Sequence, residues 1–80
     1  MNTLEELKKA FSKALSISTA EVTNDLAYQS IPEWDSISHI MLIEQLEHSY
    51  NISIEMEDVL EMHSIEKVKN TLNKYGVKIL

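Results

Sequence analysis

The sequence predicts an all-α domain built from four helical segments. Apolar residues recur at spacings of three and four along most of the 80-residue chain, which is typical of helices with one buried face. Residues of N-cap type, Asp35 and Ser64, directly precede two of these segments. Extended backbone is expected only in a short link at Asn51–Ile54 and in the C-terminal tail. We therefore interpret residues 1–80 as a single helical domain.

Composition narrows the classes of function. The chain is 44% hydrophobic and 25% charged, as in an ordinary globular domain, and it has no cysteine for disulfides or zinc-thiolate sites. No apolar run approaches the roughly 20 residues of a membrane span, and the first residues lack the basic and then apolar order of a signal peptide. We expect a cytoplasmic protein without a membrane span.

The formal net charge of -6 is concentrated in the centre of the chain. Every lysine lies before Ser36 or after Met62, so the stretch between them has acids and no lysine. An acidic centre argues against binding to nucleic-acid phosphates and favours partners with basic surfaces, although solubility alone also explains such charge. The central acids are Glu44, Glu47, Glu55, Glu57, Asp58 and Glu61.

The first helix is predicted from a capping box and an apolar face. Thr3 and Glu6 stand three apart in the Thr-x-x-Glu pattern, in which each side chain bonds the other residue's backbone N–H. The apolar face that follows consists of Leu4, Leu7, Phe11 and Ala14 or Leu15.

The segment from Ser16 to Asp35 loses the helical period but stays apolar. Ser18–Glu21 can form one short helical turn, and Pro32 favours an extended conformation at the residue before it. A connection of this length is unusual in a compact domain. We expect its apolar residues to pin it across the helices; they are Ile17, Val22, Leu26, Tyr28, Ile31 and Trp34.

The second helix is predicted over about Ser36–Tyr50, with Asp35 as its N-cap. Ile37 and Met41 project to the side of its apolar arc and should be partly exposed. We interpret them as a docking surface, with scattered exposed apolar residues as the alternative. The buried arc is predicted to contain Ile40, Leu42, Ile43, Leu46 and Tyr50.

Two further helices complete the prediction. Glu55–Met62 fits a short acidic helix that turns Val59, Leu60 or Met62 inward. A last helix is capped by Ser64 and stopped by Gly76. Its inward face is expected to be Ile65, Val68, Leu72 and Tyr75, and the tail Val77–Leu80 has no assigned role.

Enzymatic and metal chemistry is poorly supported. Ser36 and His39 are neighbours on a helix, but one glycine in 80 residues leaves little from which to build a pocket and an oxyanion hole. We expect His39 to be a packed, hydrogen-bonded histidine. The histidines lack ligand spacing, and Glu55–Glu61 lacks the ligand pattern of a calcium loop. No catalytic or metal-binding residue is assigned.

Ser36 is the candidate functional residue. At a helix start its hydroxyl should point outward, beside backbone N–H groups that have no partner inside the helix and that carry the positive end of the helix dipole. A phosphate esterified to this hydroxyl would be held by the same donors. This arrangement suits the substrate of a modifying enzyme better than an enzyme.

At these residues the chain resembles the acyl carrier protein family. Asp35-Ser36-Ile37 is similar to the family's Asp-Ser-Leu motif, and the likeness extends without gaps from Glu21 through Ile54 to the last helix. The resemblance implies a four-helix bundle with a long first loop and a short third helix. It also implies that a phosphopantetheinyl transferase attaches 4′-phosphopantetheine from coenzyme A to Ser36, and that the protein then carries acyl groups as thioesters, as in fatty acid or polyketide biosynthesis.

The resemblance further implies roles for other residues. The expected partners are acyl-loading and acyl-transferring enzymes with basic or apolar docking patches, and the protein is expected to be a monomer. The partner-binding positions would be Asp35, Ile37, Met41, Glu44 and Glu47. The residues lining an acyl chain inside the bundle would be Leu46, Ile54, Val59 and Met62.

Some positions depart from the family pattern. Glu33-Trp34 stands where fatty-acid carriers usually have glycine and a small residue, and Ser38 and Met41 stand where acids are usual. Electrostatic steering should be weaker and apolar contact more important. The stretch from Trp34 to His39 resembles freestanding carriers dedicated to a specialised pathway, such as one for a secondary metabolite or a surface glycan, and we expect a carrier of this kind. The alternatives are an aminoacyl or peptidyl carrier and an unmodified helical interaction module.

Overall fold

The computed structural model describes residues 4–79. Over that range its regular secondary structure is helical. A 3₁₀ turn, Thr19–Glu21, interrupts the long first loop, and a single antiparallel bridge joins Ala27 to Ser64 without forming a strand among the described residues. The predicted fold class is confirmed, and the chain has the architecture of an acyl-carrier-type helical bundle. The helices are α1 (Leu4–Leu15), α2 (Ser36–Tyr50), α3 (Met56–Glu61) and α4 (Ile65–Lys74).

Helix α1 packs against α2 through its apolar face. The face predicted from periodicity is confirmed, with Leu4 at its half-buried edge. Thr3, the predicted capping residue, lies outside the described residues. The buried residues of α1 are Leu7, Ala10, Phe11, Ala14 and Leu15.

The long loop is pinned to the bundle, as predicted. The Tyr28 N–H donates to the His63 carbonyl at 2.8 Å, and the Ile65 N–H donates to the Leu26 carbonyl at 3.0 Å. These two bonds tie the loop to the start of α4. Its buried side chains are Ile17, Val22, Leu26 and Trp34, with Tyr28 and Ile31 packed against them.

Trp34 is the largest fully buried side chain, and aromatic rings surround it. Phe11 and Tyr28 contact it edge-on with ring centroids 5.3 and 6.4 Å away, while the His39 ring is stacked on it at 6.1 Å. The long loop therefore contributes Trp34 to the centre of the core. His39, near the N-terminal end of α2, packs against Trp34.

One predicted inward position is wrong: Ile40, placed on the buried arc of α2, is 50% exposed. Of the three alternatives for the inward side of α3, Val59 and Met62 are buried, whereas Leu60 is 72% exposed. Ile40 and Leu60 line an open groove between α2 and α3. The exposure predicted for Ile37 and Met41 is confirmed.

Helix α4 and the tail close the core. The Ser64 Oγ accepts a hydrogen bond from the Lys67 N–H at 3.1 Å, which confirms the predicted cap. Gly76, with φ of +88°, reverses the chain after α4 in a conformation that favours glycine. Val77 then turns back into the core, and its N–H bonds the Leu72 carbonyl at 2.9 Å. The tail, to which no role was assigned, thus completes the packing; Leu80 lies outside the described residues.

Across residues 4–79, no helix combines the length and the apolar character needed to cross a bilayer.

Candidate functional site

Ser36 is the first residue of α2, and it is exposed. Within the described part of the chain, no hydrogen bond engages its hydroxyl. The hydroxyl is therefore accessible to a modifying enzyme without disruption of any internal contact.

Asp35 and Ser38 hold the helix start on either side of Ser36. The Asp35 Oδ1 accepts from the Ile37 N–H at 3.1 Å and from the Ser38 N–H at 2.9 Å. In return, the Ser38 Oγ accepts from the Asp35 N–H at 2.9 Å. This capping box fixes the backbone on both sides of Ser36. The hydrogen bond from the Ser38 N–H is the main reason that the pKa of Asp35 lies below its usual range.

This cap changes the expectation for a phosphate at Ser36. The first-turn amides have no partner inside the helix, as expected, and were predicted to hold that phosphate. Those of Ile37 and Ser38 already donate to the Asp35 carboxylate, so they are engaged by the N-cap. The positive end of the helix dipole still attracts an anion at Ser36.

An open groove of about 260 Å³ lies between α2 and α3, and Ser36 is part of its lining. This lining is mostly apolar. The groove was not predicted from the sequence, because its residues come from three separate parts of the chain. They are Tyr28, Ser36, His39, Ile40, Met56, Val59, Leu60 and His63.

His39, on α2, connects α3 to the buried Trp34. The Trp34 indole N–H donates to the His39 Nδ1 at 3.0 Å, and the His39 Nε2 lies 2.9 Å from the Val59 carbonyl oxygen. An indole nitrogen can only donate, so Nδ1 accepts and Nε2 carries the proton that bonds Val59. The predicted packed, hydrogen-bonded His39 is confirmed. With both ring nitrogens engaged, it has none free to act as a base for Ser36.

A second polar cluster fastens α3 to the end of α4. The Tyr75 hydroxyl donates to the Asp58 Oδ2 at 2.5 Å and accepts from the Glu55 N–H at 3.0 Å, while the Lys74 Nζ lies 2.9 Å from the Asp58 Oδ1. The hydrogen bond from Tyr75, and then that from Lys74, lowers the pKa of Asp58. This cluster was not predicted from the sequence, since its members lie 16 to 20 residues apart.

The residues assigned to partner binding divide into two groups. Asp35, Ile37, Met41 and Glu44 are exposed. Glu47 is half-buried, and its Oε2 accepts a hydrogen bond from the Ile54 N–H at 2.7 Å. Glu47 therefore has an internal contact that holds the link between α2 and α3.

The residues assigned to an acyl-chain lining lie in the interior. Leu46, Val59 and Met62 are buried in the core, and Ile54 is half-buried against it. For metal binding, residues 4–79 contain no group of three or more His, Asp or Glu side chains positioned to hold an ion.

Fold and site together define a small helical bundle with an exposed serine at a helix start and an apolar groove beside it. No protein-family model matches the chain. Over 79 residues the chain is 28% identical to an acyl carrier protein of Buchnera aphidicola subsp. Schizaphis graminum (strain Sg). The match covers 98% of this chain and 100% of that protein. This similarity supports a relationship to the acyl carrier family and a carrier role.

Proposed function

We propose that this chain is an acyl carrier protein that is modified at Ser36 with 4′-phosphopantetheine. The observation that carries the proposal is the exposed, unbonded Ser36 hydroxyl at the start of α2, in the lining of an apolar groove. The Asp35-Ser36-Ile37 motif and the similarity to an acyl carrier protein over its whole length support the same function.

The residues around Ser36 fit such a group. The hydroxyl is accessible, the helix dipole favours an anion at this position, and the groove offers apolar surface to whatever is tethered there. Modification with coenzyme A would join the Ser36 oxygen to phosphorus, with loss of the hydroxyl proton and release of adenosine 3′,5′-bisphosphate. The bound group would supply a terminal thiol for thioesters, which the chain itself lacks because it has no cysteine.

Partner enzymes would dock on the exposed side of α2 next to Ser36. Ile37 and Met41 present large apolar side chains there, and Asp35 and Glu44 add negative charge. Glu47 would contribute its charge at the edge of this surface while it keeps its bond to Ile54. A phosphopantetheinyl transferase and acyl-transferring enzymes with apolar or basic patches fit this surface.

Mass spectrometry of the intact protein tests the modification. The unmodified chain is incubated with coenzyme A and a transferase of broad specificity, and a mass gain of one phosphopantetheine is expected. Ser36→Ala should show no gain. Ser49→Ala, which changes an exposed serine near the other end of α2, should be modified like the original chain. No gain in the original chain would contradict the proposal and favour an unmodified interaction module.

We further propose a cytoplasmic carrier that serves a specialised pathway. The stretch from Trp34 to His39, which resembles carriers of specialised pathways, supports this subclass. Identification of the thioester on protein purified from its native host would reveal the cargo and separate an acyl carrier from an aminoacyl or peptidyl carrier. Full replacement of a host's fatty-acid carrier by this chain would contradict the specialised role.

A further inference from the structure

We propose that the group carried on Ser36 lies in the outer groove between α2 and α3, and that His39 closes the way from this groove into the core. This inference rests on the proposed function. The competing location is the interior lining that the family resemblance implies, namely Leu46, Ile54, Val59 and Met62, of which Val59 also lines the groove.

The groove is continuous with the attachment point of the carried group. Ser36 is itself part of the lining, so a group tethered to its hydroxyl reaches the groove without leaving the surface. Ile40, Met56 and Leu60 lie along the groove with at least half of each side chain exposed. A tethered apolar chain would remove these three side chains from water, which favours its binding there.

Hydrogen-bonded side chains separate the groove from the core. His39 bonds Trp34 on one side and the Val59 carbonyl on the other, so it holds α3 against the N-terminal half of α2. Trp34, Leu46 and Met62, on the core side, are fully buried. A chain that entered the core would have to separate α3 from α2 and leave the Val59 carbonyl and the indole N–H without partners.

Helix α3 is also held in place by Tyr75, which follows α4. The Tyr75 hydroxyl bonds both Asp58 and the Glu55 N–H, at the first turn of this six-residue helix. Displacement of α3 would therefore strain polar contacts to α2 and to α4 together. His39 is a positioning residue in this scheme: it shapes the wall of the groove and touches no reacting atom.

Methyl NMR of the loaded protein tests the location. The chain, with ¹³C-labelled methyl groups on Ile, Leu and Met, is loaded at Ser36 by the transferase from butyryl- or dodecanoyl-coenzyme A. Cross-peaks from either acyl chain to Ile40, Met56 or Leu60, with none to Leu46 or Met62, are expected. Cross-peaks to Leu46 or Met62, or no cross-peak to any labelled methyl group, would overturn the inference.

Two variants test the roles of the groove and of His39. Leu60→Ser should cause loss of the acyl cross-peaks to Ile40 and Met56, whereas Glu61→Ser, at the next position of α3 and outside the groove lining, should retain them. His39→Leu should shift the dodecanoyl cross-peaks to Leu46 and Met62. Unchanged cross-peaks in Leu60→Ser, or equal loss in Glu61→Ser, would overturn the inference even where His39→Leu fails to fold.

The mass spectrum distinguishes the two proposals. A chain without an added group at Ser36 would contradict the proposed function and this inference with it. A chain that is loaded at Ser36 but shows interior cross-peaks would contradict this inference alone.

Discussion

Asp35 and Ser38 cap α2 reciprocally, and Ser38 also ties the helix to the preceding loop. Its hydroxyl donates to the Glu33 carbonyl at 2.6 Å while accepting from the Asp35 N–H at 2.9 Å. Ser38 is buried, so these contacts are shielded from water. The orientation of the Ser36 backbone thus depends on a residue two positions further along the chain.

We therefore expect Ser38→Ala to destabilise the protein by about 1–2 kcal/mol, because it removes part of the cap and leaves the Glu33 carbonyl without this donor. The free energy of unfolding from urea denaturation measures the change. Ser49→Ala in the same helix should be neutral or slightly stabilising, since alanine is the better helix former. Equal effects of the two substitutions would contradict a capping role for Ser38.

The stability of the fold should decrease in acid. The pKa values of Asp35 and Asp58 are both lowered, by the Ser38 N–H and by the Tyr75 hydroxyl respectively. A carboxyl with a lowered folded-state pKa contributes stability above its unfolded pKa of about 4, and this contribution is lost as pH falls through the folded value. The free energy of unfolding, measured by urea denaturation from pH 7 to pH 2, should therefore fall below about pH 4.

Two variants test whether Asp35 and Asp58 cause this loss of stability in acid. Asp35→Asn removes one of the titrating groups, and Tyr75→Phe removes the main cause of the Asp58 shift. Each should have a shallower loss of stability below about pH 4 than the original chain. Identical slopes in all three proteins would show that these hydrogen bonds do not set the acid response.

Trp34 should be essential for folding. Replacing a buried tryptophan with alanine costs about 3–5 kcal/mol, which is about what a single core supplies in a domain of this size. Trp34→Ala should therefore be largely unfolded by circular dichroism at 25 °C. Trp34→Phe keeps a ring but leaves the His39 Nδ1 without its donor, so it should fold with a lower melting temperature. Leu60→Ala, at an exposed position, should change stability by less than about 0.5 kcal/mol. A fully folded Trp34→Ala would contradict the central position of this residue.

Apolar contact should contribute more than charge to recognition by the transferase. Truncation of a central apolar contact commonly costs about 1 kcal/mol, so Met41→Ala should lower kcat/KM for modification of Ser36 by roughly fivefold. Glu44→Gln, at an exposed charge, should change it by about twofold or less, and salt should have a weak effect. Ser49→Ala serves as the neutral control. If Glu44→Gln lowered kcat/KM more than Met41→Ala and the rate depended steeply on salt, charge would contribute more than apolar contact, and the prediction would be wrong.

Local patterns predicted the position of Ser36 but not the groove beside it. Asp35 and Ser36 follow from short-range capping rules, which the sequence contains in full. The exposure of Ile40 and Leu60 depends instead on how far α3 extends over α2. That helix has only six residues, and periodicity along one helix carries no information about the length of its neighbour.

The sequence predicted the environment of His39 but not both of its hydrogen-bond partners. Its position near the apolar arc of α2 predicted a packed, hydrogen-bonded ring, and the structure confirms this. Its two partners, Trp34 and Val59, lie five and twenty residues away. Val59 comes close to His39 only because of the way the chain folds between α2 and α3. No rule based on sequence spacing could therefore identify Val59 as a partner.

The long loop contains a backbone position where glycine should stabilise the protein. Gln29 has a φ of 64°, in the left-handed region that disfavours residues with a Cβ atom, and its N–H bonds the Trp34 carbonyl at 3.0 Å. Gln29→Gly keeps this N–H and removes the steric cost, but it also makes the unfolded chain more flexible. We expect a net stabilisation of up to about 1 kcal/mol by urea denaturation.

The matched control is Gln45→Gly within α2, where φ is helical and the same substitution should destabilise by about 1 kcal/mol. Opposite signs at the two positions would show that backbone conformation, rather than loss of the side chain, determines the effect. Destabilisation at both positions would instead mean that the Gln29 side chain contributes more to the fold than its exposed position indicates. Because Gln29 lies one residue after Tyr28, which lines the groove, a stabilised loop should also hold that wall of the groove more firmly.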